Sequence, residues 1–210
     1  MTFGRFAGAA DYFANPSNSG FATGPCGTWA GYSGIAAAIS TIHNMGIPVV
    51  AATGNDSNKT GMRAPACLPR VIKVTAVNND GVGTTISPAA NAVNPANFPG
   101  EYIWAAPGYS VNSSLPPGYT SNGQPVPFTT LGGTSMAAPH VAGLYAAAKS
   151  YAVNNPQTWP TGNIVDNISV WLTSVTADAS NNVSVDTCSV SPCPPSQTYQ
   201  VKRIRLPALF

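Results

Sequence analysis

Charge is what this chain has least of. Of 210 residues, nine are Lys or Arg and seven are Asp or Glu, for a net charge of +2. So few cations exclude a nucleic-acid binder held by basic patches, because neutralising phosphates takes clustered Lys and Arg. The one basic group, Lys202, Arg203 and Arg205, alternates with Val201, Ile204 and Leu206 and reads as the solvent face of a strand. No apolar run reaches the roughly 18 residues of a membrane helix, so no membrane partner is expected. The first residues, "MTFGRFAGAADYFANP", have no apolar core before Asp11 and do not form a signal peptide. The four cysteines, Cys26, Cys67, Cys188 and Cys193, contain no C-x-x-C pair, and neither histidine stands at ligand spacing from them, which argues against zinc. An even cysteine count in a low-charge chain favours disulfides; three pairings are open, and buried free thiols are the alternative.

What is present alternates between helical and short apolar patterns. "SGIAAAISTIHNMG" (33–46) reads as a helix with Ser33 as its N-cap and Gly46 after its end. "IPVVAA" (47–52) and "VIKVTAV" (71–77) are short β-branched runs typical of strands buried on both faces, and "YIWAAPG" (102–108) is a third. "TSMAAPHVAGLYAAAKSYAV" (134–153) and "NIVDNISVWLTSV" (163–175) read as helices. "YQVKRIRL" (199–206) reads as an edge-type strand, and the turn-rich stretch before it as a surface excursion. Helices alternating with such strands predict an α/β fold with a largely parallel sheet. Sites in such sheets gather at the carboxyl ends of the strands, which draws attention to Thr53-Gly54-Asn55.

The candidate nucleophile is Ser135 in "TTLGGTSMAAPHVAG" (129–143). A hydroxyl at the start of a helix lies in the field of unsatisfied N–H groups, which favours negative charge developing beside it. Gly132 and Gly133 let another backbone approach, and Pro139 breaks the helix rule next to the serine. Taken alone, Ser135 also fits an ordinary helix cap, and Asn55 an ordinary turn residue.

"GTSMAAPHVAG" (133–143) resembles, residue for residue, the nucleophile motif of the subtilisin-like serine peptidases. "VVAATGND" (49–56), "APACLPRVIKVTAVNN" (64–79) and "AAPGYSV" (105–111) resemble further segments of that family in the same order. The resemblance implies a three-layer α/β fold, with a mostly parallel sheet flanked by helices, incomplete on its N-terminal side. It implies one partial peptidase domain over 1–210, with a core over 1–153 and a final helix, excursion and strand over 154–210. It implies that Ser135 attacks the scissile carbonyl and that Asn55 donates to the oxyanion together with the Ser135 N–H. Gly54 and Thr134 are expected beside the substrate. "CGTWAGY" (26–32) and "APAC" (64–67) resemble a secreted subgroup with a Cys26–Cys67 disulfide, which leaves Cys188 and Cys193 to each other. An extracellular location is expected, and no cofactor; calcium often accompanies the family, but no metal site can be named here.

The base is missing. In the family the triad runs Asp, His, Ser along the chain. None of the seven carboxylates, Asp11, Asp56, Asp80, Glu101, Asp166, Asp178 and Asp186, ends an apolar strand in the family manner, and no His-Gly-Thr-His-like stretch exists. His140, five residues beyond Ser135, points ~140° away and about 7.5 Å along the helix. His43 is expected near the start of strand 47–52, roughly 20 Å from its other end. "MTFG" (1–4) resembles the family strand that follows the histidine motif, so Thr2, Phe3 and Gly4 are expected to pair with an extended substrate. The expectation is a serine endopeptidase present as its C-terminal part, with the missing N-terminal part of the domain and a peptide or protein substrate as partners. The alternative is a non-catalytic pseudo-peptidase or peptide-binding module.

Overall fold

Seven consecutive buried residues, Val71–Val77, form the strand on which the rest is assembled. A computed structural model describes residues 21–28, 31–78, 85–121, 124–156, 159–177, 179–187 and 197–204. Thr2, Phe3, Gly4, Cys188 and Cys193 lie outside the described residues, as do Asp11, Asp80, Asp178 and Arg205. In chain order the elements are α1 (Ser33–Asn44), β1 (Val49–Ala52), β2 (Val71–Val77), β3 (Ile103–Pro107), β4 (Val111–Ser114), β5 (Thr120–Ser121), β6 (Gln124–Pro125), β7 (Phe128–Leu131), α2 (Thr134–Asn154), α3 (Ile164–Val175), β8 (Asn182–Asp186) and β9 (Thr198–Arg203).

The main sheet has the order β1-β2-β3-β9-β8. Its first four strands run parallel, and β8 pairs antiparallel with β9. Successive side chains of a strand face opposite sides, so β2 feeds two cores. Val71 and Val77, with Ile103 and Ala105 of β3, pack on the side of Tyr32 and Ile39. Ile72, Val74 and Ala76, with Trp104 and Ala106, pack against Ala137, Val141, Leu144 and Tyr145 of α2 and Ile168 and Leu172 of α3. The result is a mostly parallel sheet flanked by helices, as expected.

Four details differ from the sequence reading. Ala36 N–H donates to the Tyr32 carbonyl at 2.8 Å, so the first turn starts one residue early and Tyr32, not Ser33, holds the cap position. The final strand is not an edge: β9 lies between β3 and β8, and the edge is the "NVSVD" segment assigned to the excursion. Its Val183 and Val185 are buried and its alternate residues exposed, a half-buried strand whose polar face resembled a loop. Arg203 shares the buried face of β9 with Tyr199 and Val201, and its guanidinium donates to the Ser180 carbonyl at 3.2 Å, so the basic cluster is not one solvated face. Finally, β4 pairs with β7 and β5 with β6, making an antiparallel ribbon between β3 and α2 that the sequence did not announce.

Candidate active site

The parallel strands bring their carboxyl ends together, and α2 starts there. From Ala52 the chain turns through Thr53, Gly54 and Asn55. Thr53 is buried and is held by its N–H on the Val74 carbonyl at 3.0 Å and its hydroxyl on the Asn91 carbonyl at 2.6 Å. Gly54 has φ +107°, and a Cβ there would meet Asn91 Nδ2 at 2.6 Å, so both backbone and packing demand glycine.

The ribbon delivers Gly132 and Gly133 to the same place. Gly133 N–H donates to the Gly108 carbonyl at 2.5 Å, and a Cβ on Gly108 would come within 2.8 Å of the Gly133 carbonyl and 2.5 Å of the Ala76 Cβ. Gly133 has φ +142°, and a Cβ there would sit 2.9 Å from Asn55 Nδ2. Two chain segments distant in sequence therefore touch only because three glycines lack side chains.

The first turn of α2 accounts for its orphan donors unequally. Met136 N–H and Ala137 N–H reach the Gly133 carbonyl at 3.0 and 3.4 Å. Thr134 N–H donates to Asn55 Oδ1 at 2.9 Å, so the asparagine caps the helix from another segment. The Thr134 hydroxyl donates to the same oxygen at 3.2 Å and accepts from Gly54 N–H at 3.2 Å. These donors fix which way the Asn55 amide faces, since an NH₂ group could not accept them. Ser135 N–H, Ser135 Oγ and Asn55 Nδ2 make no hydrogen bond among the described residues. Ser135 itself is half-buried. A helix N-terminus with an open N–H, an open hydroxyl and an oriented amide is equipped to hold an anion forming on a carbonyl oxygen.

The structure thus brings Ser135, Asn55, Gly54 and Thr134 together. Thr134 was expected beside a substrate; it is fully buried, its hydroxyl engaged by Gly54 and Asn55, which fits orienting Asn55 rather than touching a peptide. The two histidines lie elsewhere. His140 Nδ1 donates back to the Met136 carbonyl of its own helix at 2.8 Å. His43 lies at the opposite end of the sheet, in a cavity of about 390 Å³ with Arg70 and Val71 before and at the start of β2, Tyr102 before β3, and Asp166 on α3. Its Nε2 lies 3.1 Å from Asp166 Oδ1, and Arg70 Nη1 donates to its Nδ1 at 3.0 Å. Ala52 stands level with Val74, so Thr53 lies four steps along β2 from Val71 of that cavity, about 13 Å.

The carboxylates are also engaged, Asp56 beside the site and Glu101 at the far end of the sheet in the His43 cavity. Asp56 takes two bonds of 2.7 Å from Arg63, whose guanidinium is held above its ordinary pKa first by that hydrogen bond. Glu101 accepts from the fully buried Lys73 ammonium at 3.1 Å; burial lowers the lysine's pKa and the carboxylate opposes the shift. Among the described residues no group of three or more His, Cys, Asp or Glu is placed to hold a metal ion, and no helix is long and apolar enough to cross a membrane. Cys26 and Cys67 form a disulfide with Cα atoms 5.4 Å apart, the pairing that the resemblance implied.

The residue that sequence reasoning missed is Asn91, fully buried between the Thr53–Asn55 turn and β2. It stands in "SPAANAVNP", where Pro, Ala and Asn signal only a loop. Nothing short of its partners' positions could have revealed it.

The Subtilase family model matches residues 19–184. A thermostable alkaline protease of Halalkalibacterium halodurans is 36% identical over 124 residues, 59% of this chain and 29% of that protein. Subtilisin E of Bacillus subtilis is 30% identical over 148 residues, 69% of this chain and 32% of that protein. An extracellular protease of Xanthomonas campestris pv. campestris is 36% identical over 115 residues, 55% of this chain and 18% of that protein. The chain therefore spans a third or less of these relatives. Among solved structures, Sphericase shares the fold with a TM-score of 0.55 at 23% identity, covering 82% of this chain and 53% of that one. The Patellamide maturation protease PatA does so with a TM-score of 0.56 at 21% identity, covering 81% and 53%. With its glycine-packed turn and helix tip inside the matched span, the chain belongs to the subtilase family.

Proposed function

We propose that this chain carries the nucleophile and the oxyanion donors of a subtilisin-type serine endopeptidase acting on peptide or protein substrates outside the cell. The observation that supports it is the unequal use of donors at the α2 tip: Thr134 N–H is capped by Asn55 Oδ1, while Ser135 N–H and Asn55 Nδ2 stay open. In the reaction Ser135 Oγ attacks the scissile carbonyl carbon and its proton passes to a base. The carbonyl oxygen takes the negative charge between the two open donors. Collapse expels the amine, which takes that proton, and water then releases the acyl group from Ser135. Neither histidine of the chain is the base, because His43 and His140 are held where the hydroxyl cannot reach. The base and its carboxylate partner belong to an N-terminal part of the same domain, and Thr2, Phe3 and Gly4 pair with the extended substrate. The family relation and the Cys26–Cys67 bridge support an extracellular setting, where disulfides persist.

The test is covalent labelling of Ser135 by a fluorophosphonate probe, alone and after adding the upstream coding region to the reading frame. The expected result is little labelling of this chain, strong labelling once a His-bearing segment is present, and none in Ser135→Ala. A stop codon just upstream, together with an unlabelled Ser135, would favour the non-catalytic peptide-binding reading, which the displaced histidines alone also fit.

A further inference from the structure

Asn91 bonds to the chain on both sides of Asn55, at Thr53, Gly54, Asp56 and Asn58. Its Oδ1 accepts from Asp56 N–H at 2.9 Å and Asn58 N–H at 3.0 Å. Its Nδ2 donates to the Thr53 carbonyl at 3.2 Å and to Asp56 Oδ2 at 2.9 Å. Its own N–H donates to the Gly54 carbonyl at 2.8 Å, and its carbonyl accepts the Thr53 and Thr75 hydroxyls at 2.6 and 2.7 Å. Two backbone N–H groups converging on one atom fix the amide's orientation, because only the oxygen can accept them. All four hydrogen-bonding positions of the carboxamide are thus filled from residues flanking Asn55 on both sides. The residues around Asn91 add to the grip: Ser57 N–H donates to the Ala89 carbonyl at 2.8 Å, and the Lys59 ammonium donates to the carbonyls of Ser87, Pro88 and Ala90.

We propose that Asn91 is a positioning residue for the oxyanion donor, setting where Asn55 presents its amide by an amide–carboxylate pair with Asp56. The inference rests on the reading of Asn55 given under Proposed function and adds a residue that acts through it. The geometry is a sandwich. Asn91 holds the turn from the sheet side, close enough to require glycine at 54; Gly133 and Thr134 hold the Asn55 carboxamide from the helix side. If the turn shifts by about an ångström, Asn55 Oδ1 passes out of reach of the Thr134 N–H, now at 2.9 Å, and Nδ2 changes its aim. No other side chain of this size supplies two donors and two acceptors in one plane. The substitution Asn91→Asp keeps both acceptor bonds and loses both donor bonds, and it sets two carboxylates at the 2.9 Å contact. The arrangement is buried, where an unmet polar group is costly.

Hydrogen exchange on the full chain, followed amide by amide, tests this without catalysis. In Asn91→Asp at neutral pH, protection at Thr134 N–H and Gly54 N–H should fall about tenfold or more, while the amides of α3 keep theirs. Lowering the pH until either the introduced carboxyl or that of Asp56 is protonated should restore part of the protection, because the acid then donates one of the two bonds the amide made. Asn91→Leu should show no such recovery. The exchanged pair Asp56→Asn with Asn91→Asp restores the bond between the two side chains, though not that to Thr53 or the Asp56–Arg63 pair. It should therefore regain part of the protection relative to Asn91→Asp or, should that variant fail to fold, relative to Asn91→Leu. Unchanged protection at Thr134 and Gly54 despite losses at Asp56 and Asn58 overturns the proposal. So does a uniform loss that includes α3, which marks a general structural role, or an exchanged pair that folds and stays unprotected at Thr134. A chain that shows the expected pattern yet never labels at Ser135 counts against the protease reading, not against Asn91.

Discussion

Asn55 and Ser135 are each ordinary residues whose meaning comes from one bond made and one left open. Because the Asn55 oxygen is held by Thr134 N–H and Oγ1, its NH₂ is fixed in advance for the oxyanion role proposed for it. Replacing it by alanine removes one donor and leaves the Thr134 N–H uncapped. In subtilisin, itself a subtilase and the source of the figure, losing such a donor lowers turnover about 10²–10³-fold. If the proposed function holds, the same loss is expected here in kcat, with KM nearly unchanged; a raised KM with kcat unchanged would show that Asn55 binds substrate in the ground state instead. Gly133→Ala attacks the same amide from the other side. The new Cβ would stand 2.9 Å from Nδ2 on a backbone with φ +142°, so either the turn or the asparagine must move. Its effect on kcat should match or exceed that of Asn55→Ala, and the two changes together should cost little more than the worse one, because both displace a single group.

At the scale of elements, what was legible in the sequence follows from how locally each element is specified. The β2 run, short and β-branched but for Lys73 and Ala76, reads as a strand covered on both faces, and the small residues of α2 read as a helix packed closely on a sheet. The β4–β7 ribbon and β8 were not legible, because their partners lie outside any local window and their exposed faces carry Asn, Ser, Thr and Pro. Asn91 is the limiting case: its bonds go to residues 53–58 and to Thr75, and no pattern around it differs from a loop. The Cys26–Cys67 bridge was legible only by resemblance, since cysteine count alone left three pairings open. It closes a separation of 41 residues and ties the segment before α1, through Cys26 N–H on the Cys67 carbonyl at 3.0 Å, to the loop that enters β2. Both cysteines are fully buried. Replacing both by serine should therefore lower unfolding free energy by about 2–4 kcal/mol, read as a shift in urea midpoint. An unchanged midpoint would mean that the segment is held by its packing alone.

The described residues build two cores on either face of one sheet, and each contains a tyrosine whose hydroxyl is tied inside. On the α2–α3 face Tyr145 Oη lies 2.6 Å from Ser169 Oγ and accepts from Trp104 Nε1 at 3.3 Å. On the other, Tyr199 Oη donates to the Lys59 carbonyl at 2.6 Å. Burial raises both phenols above their usual 10, Tyr145 to about 12, with the bonds from Ser169 and Trp104 opposing the shift. In the unfolded chain both release their protons near pH 10. Above that pH the native state binds more protons than the unfolded one, so unfolding free energy falls as pH rises. The full contribution is present below pH 10 and, for Tyr145, is lost through about 12. Two units correspond to roughly 2–3 kcal/mol for that residue. Lys59 acts in the opposite sense, since burial lowers its ammonium to about 8, so its share of stability rises between there and 10.5. Stability should therefore hold up to about pH 10 and drop steeply beyond it. Tyr145→Phe should be less stable at pH 8, because Trp104 Nε1 loses its acceptor, yet flatter above pH 10, because one released proton is gone. Urea midpoints of both proteins at pH 8, 10 and 11.5 read this directly. Curves that stay parallel would place the alkaline weakness elsewhere than in the core between α2, α3 and the sheet.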